Sequence, residues 1–253
     1  SATPFDYVGQ WELSAAPMFL LMGFICSSTD MTRGLFLALR HYLARLPGGL
    51  AITSVGACAF FAAASGSSVA TASAMSRMAV PEMLDNGYDR GLATGTIAAS
   101  GTLGILIPPS IMLVIMSDLM SIPVGTVFIA AVIPGLLLSA LYALYIMVLC
   151  RVRPQLAPPL PDDIGPTNRA EFWAMIFKSF VPPVFLIVVV LGSIFAGLAT
   201  PTEAAGVGAA GSTLLAFLNR KLTFQVMKDV CQRSALTGAM LFGIFLGATC
   251  FSL

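Results

Sequence analysis

The residues best suited to chemistry are four small residues at the centre of an otherwise apolar run. The stretch is FFAAASGSSVATASAM, and its centre, SGSS, is Ser65 to Ser68. Serine hydroxyls and the carbonyls of an interrupted helix are oxygen ligands, which hard cations prefer. Irregular backbone is tolerated at membrane depth only inside protein or beside a wet cavity. The stretch therefore predicts either a site for a cation or an anion, or close helix packing through small residues.

A second interruption follows in the next apolar run, GTIAASGTLGILIPPSIMLVIMSD. Proline has no N–H and displaces the carbonyl four residues earlier, so Pro108 frees the carbonyl of Gly104 and Pro109 that of Ile105. The residue before a proline avoids helical geometry, which unwinds Ile107. We expect a short extended segment with outward carbonyls at a depth similar to that of the serine tip.

The composition places both interruptions in a membrane protein. The chain has 253 residues, 57% hydrophobic and 10% charged, with a mean hydropathy of +0.90. Soluble domains carry roughly 25% charged residues, so a fold of this size in water would lack polar surface. Long uncharged runs are candidate membrane segments; they are residues 13–29, 46–76, 91–117, 119–150, 179–202, 204–219 and 234–253. The near-neutral net charge and the missing basic stripe argue against nucleic acid as a partner.

The distribution of charge indicates which runs cross the membrane. If 46–76 enters and leaves on one side and every other run crosses once, all 13 Lys and Arg residues share one side. The other side then receives Asp6, Glu12, Asp118 and Glu203. Because positive charge marks the cytoplasmic face, the basic loops are expected in the cytoplasm.

The length of 46–76 supports the same arrangement. As one helix it would be about 47 Å long, too long for one perpendicular crossing, while two crossings need roughly 40 residues. The sequence therefore predicts an all-α integral membrane protein. Its multi-spanning helices include a re-entrant helical hairpin at 46–76 and a proline-broken helix at 91–117.

Longer motifs resemble one family. The block PGGLAITSVGACAFFAAASGSSVATASAMSRMAVPEMLDNGYDRGLATGTIAASGTLGILIPPSI, with APMFLLMGFI before it and GLATPTEAAGVGA after it, closely resembles the large membrane subunit of TRAP (tripartite ATP-independent periplasmic) transporters, in the ion-transporter superfamily. The resemblance implies an elevator-type transporter of the bacterial inner membrane, driven by sodium as the coupling ion, and not an enzyme. It also implies a small four-helix membrane subunit, a periplasmic substrate-binding protein and an organic-anion substrate, such as a C4-dicarboxylate or a sugar acid.

The resemblance also implies site residues, position by position. The sodium site would comprise tip hydroxyls and carbonyls of the broken helix: Ser65, Ser67, Ser68, Gly104, Ile107 and Pro109. The substrate candidates are the hydroxyls of Thr71 and Ser100 and the backbone after Gly66, where a helix dipole favours an anion. No Arg or Lys lies in a spanning run, so a full counter-charge must come from bound sodium or from outside this sequence.

The runs and the resemblance divide the chain into four parts. They are an N-terminal spanning helix with its cytoplasmic connection (1–45), a moving transport block (46–117), spanning helices with a cytoplasmic loop at 151–171 (118–219), and a further connection with the start of a second-repeat helix (220–253). The family's second hairpin and second broken helix are not found. We interpret the chain as a fragment that lacks its N-terminal end and most of the second repeat, and we expect that fragment alone not to transport.

The stretch LATPTEAAGVGAAG predicts a helix that starts near Glu203, with Thr200 or Thr202 as its cap. The alanines and glycines that follow predict a face for close helix packing.

Three other functions compete with the TRAP interpretation. An intramembrane serine hydrolase needs a base beside its nucleophile, and the one histidine, His41, is expected at the membrane interface. A channel would use the same oxygens as a filter. A binding-protein-independent sodium/dicarboxylate or citrate-type symporter would share the architecture. Saturable, sodium-dependent uptake that needs a binding protein separates a TRAP transporter from the last two.

Overall fold

The computed structural model describes residues 14–28, 31–43, 45–158 and 180–252, and the regular elements in these ranges are all helical. The first four helices are α1 (Ala15–Ser28), α2 (Met31–Leu43), α3 (Gly49–Ser65) and α4 (Ser68–Asp85). The next four are α5 (Arg90–Gly101), α6 (Leu103–Leu106), α7 (Ile111–Met120) and α8 (Val124–Val152). A 3-10 turn at Pro154–Leu156 follows, and then α9 (Val181–Phe195), α10 (Pro201–Leu218) and α11 (Phe224–Ser252). The predicted all-α fold is confirmed for these ranges.

Helices α3 and α4 pack against each other as a hairpin. The N–H of Leu50, at the start of α3, donates to the hydroxyl of Tyr88, just beyond α4, at 3.2 Å. Arg40 of α2 forms an ion pair with Glu82 near the end of α4. Both open ends of the hairpin therefore lie at one end of the helix bundle, and the tip points away from it. This end, where Arg40 lies, is called here the basic end. Whether the hairpin is re-entrant in a bilayer stays a prediction.

The second arm of the hairpin is longer than expected. Helix α4 ends at Asp85, not at residue 76. Met75, Ala79 and Met83 are fully buried four residues apart, so one apolar stripe continues past the expected end and keeps the chain helical. Arg77 therefore lies on the hairpin and not in a connection after it.

The broken helix is observed where the prolines predict it. The axis of α5 and α6 is bent by 42° from that of α7. Between them Ile107 is extended, with φ −84° and ψ 119°, and so is Ser110. The expected unwinding of Ile107 is confirmed.

Two apolar clusters hold the helices together. The first joins the hairpin to α5 and α8 and includes Leu50, Met75 and Ile146. The second surrounds α1 and joins it to α7, α8, α9 and α10 through residues such as Phe19 and Val190. Helix α8 contributes residues to both clusters, and α1 also packs directly against α3 of the hairpin.

Among the described residues, α8 is the one helix long and apolar enough to cross a bilayer by itself. The broken pair α5–α7 is a second such segment if it is counted as one span. Helices α1, α3 and α9 are apolar but have 14, 17 and 15 residues. Residues 159–179, which include most of the expected loop at 151–171, lie outside the described ranges.

Helix α10 begins with the expected cap and presents the expected small-residue face. The Thr200 hydroxyl accepts the Glu203 N–H at 3.3 Å, and the Glu203 carboxylate accepts the Thr200 N–H at 2.8 Å, so Thr200 rather than Thr202 is the cap. A Cβ on Gly208 would lie 2.7 Å from Sδ of Met22 on α1. The absence of a side chain at Gly208 therefore leaves room for the buried side chains of Met22 and Val190 to pack against α10.

Gly208→Val is expected to destabilise the protein by about 1–3 kcal/mol, because the added methyl groups overpack the contact with α1. The matched control is Gly206→Val in the same helix, where a Cβ meets nothing within 4 Å. The thermal unfolding midpoint in detergent compares the two. Equal midpoints would contradict the packing described here.

Candidate functional site

The hairpin tip is a two-residue break between helices. Gly66 ends α3 with φ +60°, a left-handed conformation that favours glycine, and its N–H donates to the carbonyl of Ala62 at 2.8 Å. Ser67 is extended, and its hydroxyl accepts the N–H of Ala70 at 3.4 Å as the cap of α4. The predicted turn at SGSS is therefore present, and glycine and a serine cap are its physical causes.

The tip contacts the broken helix backbone to backbone. The N–H of Ile111 donates to the carbonyl of Gly66 at 3.2 Å. A Cβ on Gly66 would lie 2.7 Å from the carbonyl oxygen of Pro109, and one on Gly104 would lie 2.7 Å from the carbonyl carbon of Ser67. Real Cβ atoms do not approach other heavy atoms so closely, so only glycines permit this contact. The two interruptions predicted from sequence meet at one place.

Three oxygens form a compact group at the tip, called here the tip oxygen cluster. Ser65 Oγ lies 2.9 Å from Thr71 Oγ1, and Thr71 Oγ1 donates to the carbonyl of Ser67 at 2.8 Å. Ser65 Oγ is 3.4 Å from the same carbonyl. The side chains of Ser65 and Thr71 are buried. The cluster is uncharged and rich in lone pairs, so it suits a hard cation.

One of the two carbonyls freed by proline finds a new donor. The hydroxyl of Ser110 donates to the carbonyl of Ile105 at 2.7 Å, so the oxygen freed by Pro109 is not left open as the sequence suggested. The carbonyl of Gly104 would accept from residue 108 in a regular helix, and proline there has no N–H. The carbonyl of Gly104 therefore loses the hydrogen bond that a regular helix would give it, at a position beside the tip.

The predicted sodium ligands lie together. Ser65 and Ser67 belong to the tip oxygen cluster, and the backbone of Gly104 and Pro109 touches the tip. The two remaining residues flank this contact: Ser68 is the half-buried first residue of α4, and Ile107 is extended inside the break. The proximity of these residues is a finding, and their role as ligands stays a prediction.

The predicted substrate residues lie in different places. The carbonyl of Gly66 is engaged by Ile111, and Thr71 lies within the tip oxygen cluster. Ser100 is fully buried; its hydroxyl donates to the carbonyl of Thr96 at 2.6 Å and lies 3.1 Å from Cys58 Sγ. Ser100 thus faces α3 and not the tip. Contact of these residues with a substrate stays a prediction.

Two residues at the site were missed by sequence reasoning. A Cβ on Gly23 of α1 would lie 2.4 Å from Cα of Ser65, so α1 supports the tip from behind. Ser110 completes the break through its bond to Ile105. The available signals were a glycine inside the apolar run APMFLLMGFI and a serine directly after two prolines.

An all-α membrane fold in which a helical hairpin meets a broken helix is characteristic of secondary transport permeases. The family model of the tripartite ATP-independent periplasmic transporter, DctM component, matches residues 3–253. The chain belongs to this family, whose members are transport permeases and not enzymes.

Individual relatives differ in the substrate that their names give. The chain is 35% identical over 252 residues to the C4-dicarboxylate TRAP transporter large permease protein DctM of Pseudomonas aeruginosa, covering 98% of this chain and 57% of that protein. It is 30% identical to the sialic acid TRAP transporter permease protein SiaT of Haemophilus influenzae (91% and 36% covered). It is 29% identical to the ectoine TRAP transporter large permease protein TeaC of Halomonas elongata (95% and 55% covered). The chain thus spans roughly half the length, or less, of these relatives.

A disulfide tests whether the hairpin lies along the broken helix. A Cβ on Gly101 of α5 would lie 2.8 Å from Cβ of Ala72 on α4. Disulfides need a Cβ–Cβ distance of about 3.5–4.5 Å, which a small shift provides. The double variant Ala72→Cys/Gly101→Cys is expected to crosslink under mild oxidation, as a mobility shift after protease cleavage between the two helices shows. The control, Ala72→Cys/Gly95→Cys, is expected to stay reduced, and equal crosslinking of both pairs would contradict the packing.

Proposed function

We propose that the full-length protein takes up a small organic anion, driven by sodium and supplied by a periplasmic binding protein. The observation that carries this proposal is the contact between the tip oxygen cluster and the break around Gly104. Two interruptions of helical hydrogen bonding are costly inside a membrane unless the freed groups bind something. Paired breaks at one depth are how secondary transporters hold ions and substrate.

The chemistry of the tip favours a monovalent hard cation. In the part of the chain that is described, no group of three or more His, Cys, Asp or Glu side chains forms a metal site. The oxygens at the tip are hydroxyls and carbonyls, which stabilise a single positive charge without a buried carboxylate. We propose sodium there, held by Ser65, Ser67, Ser68 and the carbonyls of Gly104, Ile107 and Pro109. The position of its hydroxyl makes Thr71 a further candidate ligand.

The same place suits the acidic group of a substrate. The first amides of α4 follow Gly66 and carry the positive end of the helix dipole. Bound sodium would add a full positive charge beside them. We propose that a carboxylate binds at this helix start, as in a C4-dicarboxylate or a sugar acid, with Gly66 and Thr71 as the candidate residues. The third residue expected from sequence, Ser100, faces α3 and is not part of this proposal.

The proposed movement is of elevator type. The backbone contacts at Gly66 and Gly104 join the hairpin and the broken helix into one unit, which supports a block at 46–117 moving as a body. We propose that it moves against α8 and the helices around α1, in the bacterial inner membrane, with the basic end in the cytoplasm. The proposed partners are a small four-helix membrane subunit and a periplasmic binding protein.

Uptake of radiolabelled succinate into proteoliposomes tests the proposal. The vesicles contain the full-length protein and its small subunit, with a succinate-binding protein outside and an inward sodium gradient. Saturable uptake that needs both sodium and the binding protein supports the proposal. Sodium-dependent uptake without the binding protein would indicate a symporter, and a non-saturable current would indicate a channel. Because succinate is one candidate, binding proteins for sugar acids are tested in parallel.

Ser65→Ala is expected to raise the sodium concentration for half-maximal uptake about tenfold, since an oxygen bonded to a charge contributes roughly 1.5–3 kcal/mol. Ser76→Ala is the matched control, because Ser76 lies on the same hairpin and its hydroxyl donates only to the carbonyl of Ser73. The initial rate of uptake is measured against sodium concentration. The same sodium dependence in both variants would reject the site.

Gly104→Ala is expected to raise the sodium concentration for half-maximal uptake, although it removes no oxygen ligand. Its Cβ would push the break away from the carbonyl of Ser67, so the ligands would separate by several tenths of an ångström. Gly95→Ala makes the same chemical change in α5, where a Cβ meets nothing within 4 Å. Sodium titration of uptake compares the two, and an unchanged half-maximal concentration in Gly104→Ala would count against ligands on both sides of the contact.

A further inference from the structure

A cavity of about 660 Å³ lies beside the hairpin, between α1, α4 and α11. It extends along α4 from Ala70, close to the tip, to Glu82 at the basic end. Hydroxyls of Ser27, Ser28 and Ser73 contribute to its lining. The cavity therefore runs along α4 from within one helical turn of the tip towards the end of the bundle that carries the basic residues.

The cavity lining contains two carboxylates, Glu82 and Asp229, and two guanidinium groups, Arg77 and Arg233. Glu82 pairs with Arg40, which lies outside the lining, and Asp229 pairs with Arg233 at 3.0 Å. The remaining guanidinium, that of Arg77, has no ion-pair partner among the described residues. Because Arg40 neutralises Glu82 from outside the lining, Arg77 is left among the described residues as the cavity charge without an opposite charge beside it.

Arg77 occupies an intermediate position along the cavity. Ala70, Ser73 and Arg77 recur at helical spacing on one face of α4, and all three line the cavity. Arg77 is nine residues beyond the first residue of α4, about 14 Å along the helix. A small carboxylate that leaves the tip would meet its guanidinium before it reaches the basic end.

We propose that this cavity is the path by which the substrate anion leaves the tip, and that Arg77 is a second binding site for its carboxylate on that path. A guanidinium holds a carboxylate by two parallel, charge-assisted hydrogen bonds. The three serine hydroxyls replace water around the other polar groups of the anion. The inference rests on the proposed function in that the anion is the transported substrate.

Thiol labelling measures the charge of the cavity without any transport. Ser73→Cys is made in the full-length protein with Cys231→Ser, which removes an exposed native thiol. Its reaction rates with an anionic (sulfonatoethyl) and a cationic (trimethylammonioethyl) methanethiosulfonate are compared in inside-out vesicles. Adding Arg77→Gln is expected to lower the anion-to-cation rate ratio about tenfold, because a unit charge roughly 6 Å away acts in opposite directions on the two reagents. Arg90→Gln, at an exposed arginine outside this lining, is the control and leaves the ratio unchanged.

Succinate tests whether the path accepts a carboxylate. At millimolar concentration it is expected to slow labelling at position 73 when Arg77 is present and to lose this effect in Arg77→Gln, with partial recovery in Arg77→Lys. In proteoliposomes Arg77→Gln is expected to raise the internal succinate concentration for half-maximal efflux about tenfold and to leave the half-maximal sodium concentration unchanged. A rate ratio insensitive to Arg77, or protection that survives Arg77→Gln, overturns the inference. Uptake by the unmodified protein that does not depend on sodium would instead reject the proposed function. The anion-to-cation labelling ratio would still report the charge of the cavity in that case.

Discussion

The structure depends on one contact, in which the tip of a helical hairpin touches the break of a neighbouring helix through backbone atoms. Gly66 and Gly104 stand at the two sides of this contact, and a Cβ on either would collide with the opposite backbone. Gly23 of α1 stands against the tip from behind in the same way. Helix ends usually meet across side chains. Here the absence of side chains at these glycines brings the backbone atoms of the two breaks into contact.

Polar groups released at the contact are largely satisfied by one another. The N–H of Ile111, the first residue of α7, donates to the carbonyl of Gly66, and the hydroxyl of Ser110 donates to the carbonyl of Ile105. Ser65 and Thr71 bond to each other and to the tip carbonyl. Unpaired groups are costly in a medium without water, so these bonds stabilise the two breaks as a unit. What remains at the contact is a small set of uncharged oxygens, and the proposed sodium site is built from them.

Uncharged and charged polar groups lie at different positions along the hairpin. The tip has hydroxyls and carbonyls, and the opposite end has the ion pair of Arg40 and Glu82. Between them lies the guanidinium of Arg77, which has no ion-pair partner among the described residues. Uncharged oxygens select an ion through their geometry, whereas the guanidinium of Arg77 attracts anions over a longer distance. The two properties suit successive steps of one process, selective binding followed by release. Membership of the TRAP family and the proposed sodium coupling are consistent with that division.

The sequence by itself determined the class of fold and the place of both breaks. Composition indicated the membrane, the prolines at 108 and 109 unwound Ile107 as expected, and the glycine and serines at 65–68 marked the tip. These are local properties, set by missing N–H groups and by side chains that permit unusual backbone. The tertiary structure decided what local rules do not contain. In the tertiary structure, Gly23 packs against the tip, and the hydroxyl of Ser110 donates to the Ile105 carbonyl. Ser100 is buried against Cys58. Helix α4 is longer than expected, so that Arg77 lies on it and lines a cavity. Each of these outcomes depends on which surface a residue meets, and packing between distant segments fixes that choice.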